Sequence, residues 1–428
     1  MKKYILKILN GRIIPVVVLS LYMCQMGYSQ PDLNEINQSI AKMRRGGLTV
    51  KAKAGEQVTI EQVSHQFWFG CCISEGAFNG SMPESDLKQY REKFLENFNS
   101  AATQNAMKWK YMERERGKVD YSVVDAILAW TTEHQLPLRG HNIFWGVADD
   151  NVVPNIQKWL MELNDQELEQ AVRNRAETLA SYYKGRFAEY DLNNEMVHGN
   201  YYEDRLGPDI TKKMTEWVHL GDPDAQLYLN EYDITTGRAL PAYMAQIRTF
   251  LKQGVPIAGI GVQGHLHGDT FNRNELQRSL DSLAQFQLPI CITEFNIPGQ
   301  RSKFMRNRNL KMTAEEEAQK AKELVDFYRI CFAHPAVKGI LMWGFWEKDN
   351  WIPASSIYRT DWTATPAADA YRDLIFREWW TKESGKADSN GNFSTSAFYG
   401  KYKITAGGVT RIVDFDQAAG IILVDFTK

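Results

Sequence analysis

Eight short apolar runs recur along the chain, separated by longer stretches, several of them amphipathic, and this alternation constrains the fold more than any other feature. The runs predict strands at Phe67–Ile73, Ser100–Met107, Leu138–Trp145, Glu189–Glu195, Gln226–Asp233, Ile257–Gly264, Pro289–Phe295 and Lys338–Phe345. Between them, Tyr121–His134, Asp165–Tyr183, Ala239–Lys252, Arg273–Phe286 and Ala314–Phe332 carry apolar residues at helical spacing. Strands that are nearly continuous hydrophobic runs are buried on both faces, which implies parallel pairing beneath covering helices. Eight of them imply an α/β fold closed into a (β/α)8 TIM barrel. An open doubly wound sheet is the rival, but no glycine-rich GxGxxG turn follows the first strand, and Gly259-Ile260-Gly261 inside the sixth reads as close backbone packing.

Both ends break the rhythm. Leu48–Ala54 and Gln57–Val63 alternate as exposed strands, and beyond Trp380 a Gly/Ser-rich tail offers strand-like Phe398–Thr405, Val409–Phe415 and Ile421–Phe426. An isolated hairpin is marginal in water, so the two ends are expected to combine into one small β-module beside the barrel. The expected division is a leader over 1–29, an N-terminal β segment over 30–64, the barrel over 65–382 and a β-strand tail over 383–428. The leader rests on basic Lys2, Lys3, Lys7 and Arg12, the apolar run Ile13–Cys24 and the small-residue exit Gly27-Tyr28-Ser29. It predicts an exported protein, extracellular or periplasmic. A lipidated Cys24 is the minority reading, because bulky Tyr22 and Met23 precede it. The run is shorter than the roughly 20 residues that span a bilayer, so no transmembrane segment is expected.

Fifty basic residues against fifty-two acidic ones give a net charge of −2, which becomes −6 without the leader and offers no field for a polyanion. Nucleic acid is therefore not an expected partner. Cys71, Cys72, Cys291 and Cys331 lack metal spacing, and three of them lie in apolar runs and read as core thiols, with a Cys291–Cys331 bond as an open alternative. Twelve Trp, 19 Tyr and 20 Phe exceed ordinary core needs and point to flat ligands such as sugar rings.

In such a barrel reactive groups sit where strands end at the C-terminal face. Glu195 closes the fourth strand in YDLNNE and Glu294 the seventh in PICITEF, with His141, Gln263 and His265 at the ends of strands three and six. One such Glu is as readily a rim salt bridge. Two across a sugar-sized cleft are what glycoside hydrolysis requires.

These residues resemble the glycoside hydrolase family 10 endo-β-1,4-xylanases. The resemblance runs in order through Gln104-Asn105-Ala106-Met107-Lys108-Trp109, Arg139-Gly140-His141, Tyr190 to Glu195, Leu229-Asn230-Glu231-Tyr232, Gly261-Val262-Gln263-Gly264-His265, Ile292-Thr293-Glu294, and Trp343-Gly344-Phe345 with Trp351. It covers about 330 residues, and RGHNIFW and NEMVHG place it nearest the plant-like branch. The resemblance implies a retaining endo-β-1,4-xylanase in which Glu195 is the general acid/base and Glu294 the nucleophile, about 5 to 5.5 Å apart. It further implies that Asn194 holds the sugar 2-hydroxyl and that His265 bonds the nucleophile. Asn105, Lys108, His141 and Gln263 would hold glycone sugars. Trp343 and Trp351 would be aromatic walls, with Tyr232 on the aglycone side. It implies no cofactor, a xylan-type polysaccharide as partner, and a monomer.

Three positions depart from the family pattern. Gly146 stands where bacterial members place His, Gln104 where a Glu is usual, and Phe295-Asn296 where Leu-Asp is frequent. Another β-glycan or a decorated xylan as substrate, and a carbohydrate-binding protein on an inactive scaffold, are the alternatives this leaves. A metal centre built on His265, His267 and Asp269 is a third rival, lacking a further ligand by spacing.

Overall fold

The computed structural model describes residues 32–147 and 155–428. The expected leader and Cys24 lie outside the described residues. Strands β1 (Arg45–Lys51) and β2 (Gln57–His65) precede the barrel. The barrel itself comprises β3 (Trp68–Ile73), β4 (Ser100–Thr103), β5 (Leu138–Gly140) with β6 (Phe144–Trp145), β7 (Glu189–Asn194), β8 (Leu227–Glu231), β9 (Gly259–Val262), β10 (Ile290–Phe295) and β11 (Val337–Met342). Every neighbouring pair runs parallel. Pairing of β11 with β3 and of β5 with β7 closes the ring. The expected third strand is divided at His141-Asn142, so β5 and β6 share one place in the barrel.

Strand alternation sorts side chains into two cores. Cys72, Ala102, Tyr228, Cys291, Leu341 and Trp343 fill the barrel interior, while Cys71, Phe69, Ile292 and Ile340 pack outward against the helices. The four cysteines are free and buried, and the Cys291–Cys331 bond is not formed: Cys291 faces the barrel interior and Cys331 lies on a covering helix. Helices form at Ser122–Glu133, Asp165–Tyr182, Leu240–Lys252, Arg273–Ala284 and Ala314–Ala333, within a few residues of their expected bounds. Capping boxes begin two of them, Asn164 with Glu167 and Thr313 with Glu316, each satisfying backbone N–H groups that a helix start leaves unpaired.

Five strands follow the barrel: β12 (Lys382–Lys386), β13 (Asn392–Phe398), β14 (Gly400–Ala406), β15 (Val409–Phe415) and β16 (Ile421–Asp425). They combine with the N-terminal strands into two sheets, ordered β13-β1-β16 and β12-β2-β14-β15. Leu48, Val50, Val58, Ile60, Tyr402 and Ile404 pack between them. The N-terminal strands are thus half-buried rather than exposed, each such aliphatic side chain contributing about 1.5–3 kcal/mol. The segment before β1 is also not purely β. Leu33–Arg44 is a helix capped by Asp32, and its Ile36 and Ile40, one turn apart, join the barrel's outer core. Arg44 at its end donates to the carbonyls of Phe332, His334 and Val337, each at 2.8 Å. Among the described residues no helix is long and apolar enough to cross a membrane.

Candidate active site

Glu195 follows β7 in a left-handed conformation, φ +62°, which swings its carboxylate across the barrel mouth. Trp145, at the end of β6, donates to its Oε2 at 2.8 Å, and Gln263, after β9, donates to its Oε1 at 2.8 Å. Burial pushes its pKa above the ordinary carboxylate range, and the charges of Glu294 and Glu231 add to that; the two hydrogen bonds oppose it. This carboxyl group is suited to carrying a proton.

Glu294 ends β10 under the opposite balance. Burial would raise its pKa, but His141, His265 and Lys108 outweigh that and hold it at about 2. Asn230 donates to its Oε1 at 2.8 Å, and His265 Nε2 lies 3.1 Å from its Oε2. His141 Nδ1 is 3.9 Å from Oε1. The Glu294 N–H donates to the Gln263 carbonyl at 2.6 Å, so Gln263 is tied to both carboxylate residues. One is held in its charged form and the other is pushed toward its neutral form in the same mouth, the pairing that acid-assisted displacement at an acetal carbon requires.

The other expected residues gather around this pair. Asn105, after β4, accepts from Lys108 Nζ at 3.0 Å, and that ammonium lies 4.5 Å from the centroid of the Trp145 ring. Burial lowers the Lys108 pKa against the charges of Glu294, Glu195 and Glu75. His141 presents an edge to Trp343 at 5.0 Å, and Trp351 does the same to His265 at 5.0 Å. Asn194 accepts from Asn230 at 2.9 Å. Tyr232 lies flat on His198, with centroids 3.6 Å apart.

Asn296 fixes a proton. Its Nδ2 donates to the Trp343 carbonyl and to Ser355 Oγ, and Trp351 Nε1 donates to its Oδ1 at 2.9 Å. The amide orientation is thereby set, so His265 Nδ1, 2.8 Å from the same Oδ1, must be the donor. His265 and His267 serve different carboxylates, Glu294 and Asp233, rather than one metal. Among the described residues no group of three His, Cys, Asp or Glu is placed to hold a metal ion.

The sequence pattern of glycosyl hydrolase family 10 matches residues 59–374. The chain belongs to glycosyl hydrolase family 10. It is 32% identical over 370 residues to endo-1,4-beta-xylanase 1 of Arabidopsis thaliana, covering 85% of this chain and 36% of that protein. It is also 32% identical over 381 residues to anti-sigma-I factor RsgI6 of Acetivibrio thermocellus, covering 87% of this chain and 46% of the relative. The chain thus spans half or less of the length of these relatives. Native xylanase 10B from Thermotoga maritima superposes with a TM-score of 0.63 at 24% identity, over 73% of this chain and 96% of that one, and shares the fold.

Within this family the three departures acquire physical reasons. A Cβ on Gly146 would meet the Tyr202 ring at 3.0 Å, so Tyr202 occupies the space a larger residue would need. The carboxylate missing at Gln104 is available from Glu75, whose Oε1 accepts from Asn105 at 3.3 Å. Asn296 retains the acceptor that orients His265 while removing a charge.

Several site residues escaped the strand-end reading. Asp191 accepts from His141 Nδ1 at 2.8 Å and also pairs with Arg139, which pairs with Glu189 in turn. Their signal was present: Glu189, Asp191 and Asn193 alternate on one face of a fully buried strand, which only an internal polar network tolerates. Asn230, Glu231 and His198 gave weaker signals, since each acquires its role from a partner on another strand.

Proposed function

We propose that this family 10 chain is a retaining endo-β-1,4-xylanase, with Glu294 as nucleophile and Glu195 as general acid/base. The observation that carries the reading is the electrostatic split between two carboxyl groups sharing one barrel mouth, Glu294 held at about 2 and Glu195 raised. In the first step Glu294 attacks the anomeric carbon while Glu195 protonates the departing sugar oxygen. In the second, ionised Glu195 takes a proton from water, which displaces Glu294 from the glycosyl ester. Asn194, Asn105, Lys108 and His141 supply polar groups for the glycone sugars, and Trp343 and Trp351 supply apolar ring faces. Tyr232, flat on His198, serves the aglycone side. The protein is exported and acts as a monomer in this reading, export resting on the basic and apolar start of the sequence.

A second reading is a domain that binds a glycan without cutting it; it has room because one relative of similar identity is named an anti-sigma factor and not a hydrolase. One experiment separates the two. Purified residues 30–428 are incubated with glucuronoxylan, arabinoxylan and mixed-linkage β-glucan, with Glu294→Gln as control. Xylo-oligosaccharides released by the parent and absent with the control support the xylanase. Retention on xylan without release supports the binding domain, and release from β-glucan alone assigns a different glycanase.

A further inference from the structure

The loop after β4 has two sides. Lys108 reaches inward to the charges of Glu294 and Glu195, whereas Trp109, Glu113 and Tyr121 line a groove of about 360 Å3 on the outer wall of the barrel. The opposite wall of that groove is the helix Asp165–Tyr182, which presents Glu167, Gln170, Asn174 and Thr178. Their spacing of three or four residues sets them in one row along the helix. Tyr182, four residues beyond Thr178, ends the row about 22 Å from Glu167, at the rise of an α-helix.

Aromatic rings stand at both ends of the row. Trp159, from the short helix Lys158–Met161 just before it, meets Trp109 edge-on with centroids 5.9 Å apart. At the far end Tyr121 stacks on Tyr182 at 4.1 Å, and Tyr182 is 46% exposed, so the stacked pair reaches solvent. Between the ends Gln170 donates to Asn174 at 2.8 Å, which orients both amides and leaves each with further donor and acceptor capacity. The charges in the groove balance. Arg116 lies 3.9 Å from Glu167, and buried Arg175, which donates to the carbonyls of Met107 and Ile143, lies within range of the charge on Glu113. Two cations against two carboxylates leave no net field that would select an ion. Flat rings flanking a row of oriented amides, without net charge, fit a linear neutral polyol, whose ring faces pack on aromatics and whose hydroxyls bond to amides.

We propose that this groove is a second carbohydrate-binding site, which holds a neutral stretch of xylan main chain on the outer wall of the barrel, apart from the two carboxylates. The choice of xylan rests on the xylanase reading. Because the groove and the glycone wall are two sides of one loop, a polymer engaged at one site is presented to the other at high local concentration. The second contact therefore raises affinity for polymer and leaves the chemistry untouched. A short oligosaccharide fills one site at a time and gains nothing from it.

The test compares the parent with the triple variant Gln170→Ala/Asn174→Ala/Tyr182→Ala and, separately, with Trp159→Ala. The three positions of the triple variant are exposed on a helix, where alanine is a good helix former, so the fold is retained. Its kcat/KM on xylotetraose should equal that of the parent, while its rate on water-insoluble arabinoxylan should fall about three- to tenfold, the size of one lost aromatic contact. Affinity electrophoresis in gels containing soluble arabinoxylan or mixed-linkage β-glucan, with Glu294→Gln as the background, reads binding without turnover. Adding either set of groove substitutions should weaken retardation by arabinoxylan by the same factor. Equal losses on xylotetraose and polymer, or unchanged retardation in both variants, overturn the second site. Groove-dependent retardation by β-glucan alone overturns xylan as its ligand. Groove-dependent retardation by arabinoxylan, in a chain whose parent cuts neither xylotetraose nor polymer, would overturn the catalytic reading and leave the second site standing.

Discussion

Asn230 donates one amide nitrogen to both Glu294 Oε1, at 2.8 Å, and Asn194 Oδ1, at 2.9 Å, joining the proposed nucleophile to the residue assigned to the sugar 2-hydroxyl. Its own Oδ1 accepts from Thr293, so the amide cannot rotate without losing three partners. Asn230→Ala should lower kcat on xylan by roughly 10- to 100-fold, the cost of one or two hydrogen bonds to a charged group, with a smaller change in KM. Steady-state kinetics check this, and a change in KM alone would contradict a role in aligning Glu294.

The pH profile should be a bell with well-separated limbs. Activity needs Glu294 ionised, which holds down to about pH 2–3, and Glu195 protonated, which is lost as pH rises through its elevated pKa. Trp145 stabilises ionised Glu195 through its 2.8 Å hydrogen bond. Trp145→Phe should therefore move the basic limb of kcat/KM to higher pH and leave the acidic limb in place. A shift to lower pH would show that the indole does not act on Glu195 in this way.

The barrel was legible in the sequence because most of its strands are short apolar runs buried on both faces and alternate with helical patterns, a rhythm few other architectures produce. β12 and β13 were missed because KESGK and NFSTSAF are polar and small, so their pairing with β2 and β1 is decided by partners far away in the chain. The helix Leu33–Arg44 was missed because its apolar positions Ile36 and Ile40 are few and take their meaning from the barrel wall they meet. At the site, residues ending strands were found by position alone. The alternation of Glu189, Asp191 and Asn193 marks an internal polar face but not its partner His141, and the bond from Asn230 to Glu294 on another strand is not written in any local spacing.

Arg44 fastens the N-terminal helix to the barrel through three carbonyls, and it lies between the rings of Phe67 and Phe332, at 4.9 and 5.1 Å. Burial lowers its pKa to about 10. Arg44→Ala leaves three buried carbonyls without this donor and should cost roughly 3 kcal/mol, visible as a lower midpoint in urea. Xylan turnover at low temperature should persist, since Arg44 lies at the opposite end of the barrel from the strand ends that carry Glu195 and Glu294.

Replacing either carboxylate by its amide should change stability with opposite signs. Glu294 is held at about 2 against an ordinary 4.5, so the fold prefers its charged form. That contribution is present above the ordinary carboxylate range and is lost as pH falls toward 2. Glu294→Gln should then cost on the order of 2 kcal/mol at pH 7, and the loss should shrink as the medium is acidified. Glu195 is raised, so the fold prefers its neutral form; its contribution is present below the ordinary range and is lost as pH rises through the elevated pKa. Glu195→Gln is neutral at every pH and removes the repulsion with Glu294 and Glu231, so at pH 7 it should melt about 1–3 °C above the parent. The same variant should lose xylan cleavage while still forming the glycosyl ester from aryl xylosides whose leaving groups need no acid. Melting curves of both variants from pH 4 to 8 check the signs. A Glu195→Gln protein less stable than the parent at pH 7 would mean that the elevated carboxyl is not under electrostatic stress in the fold.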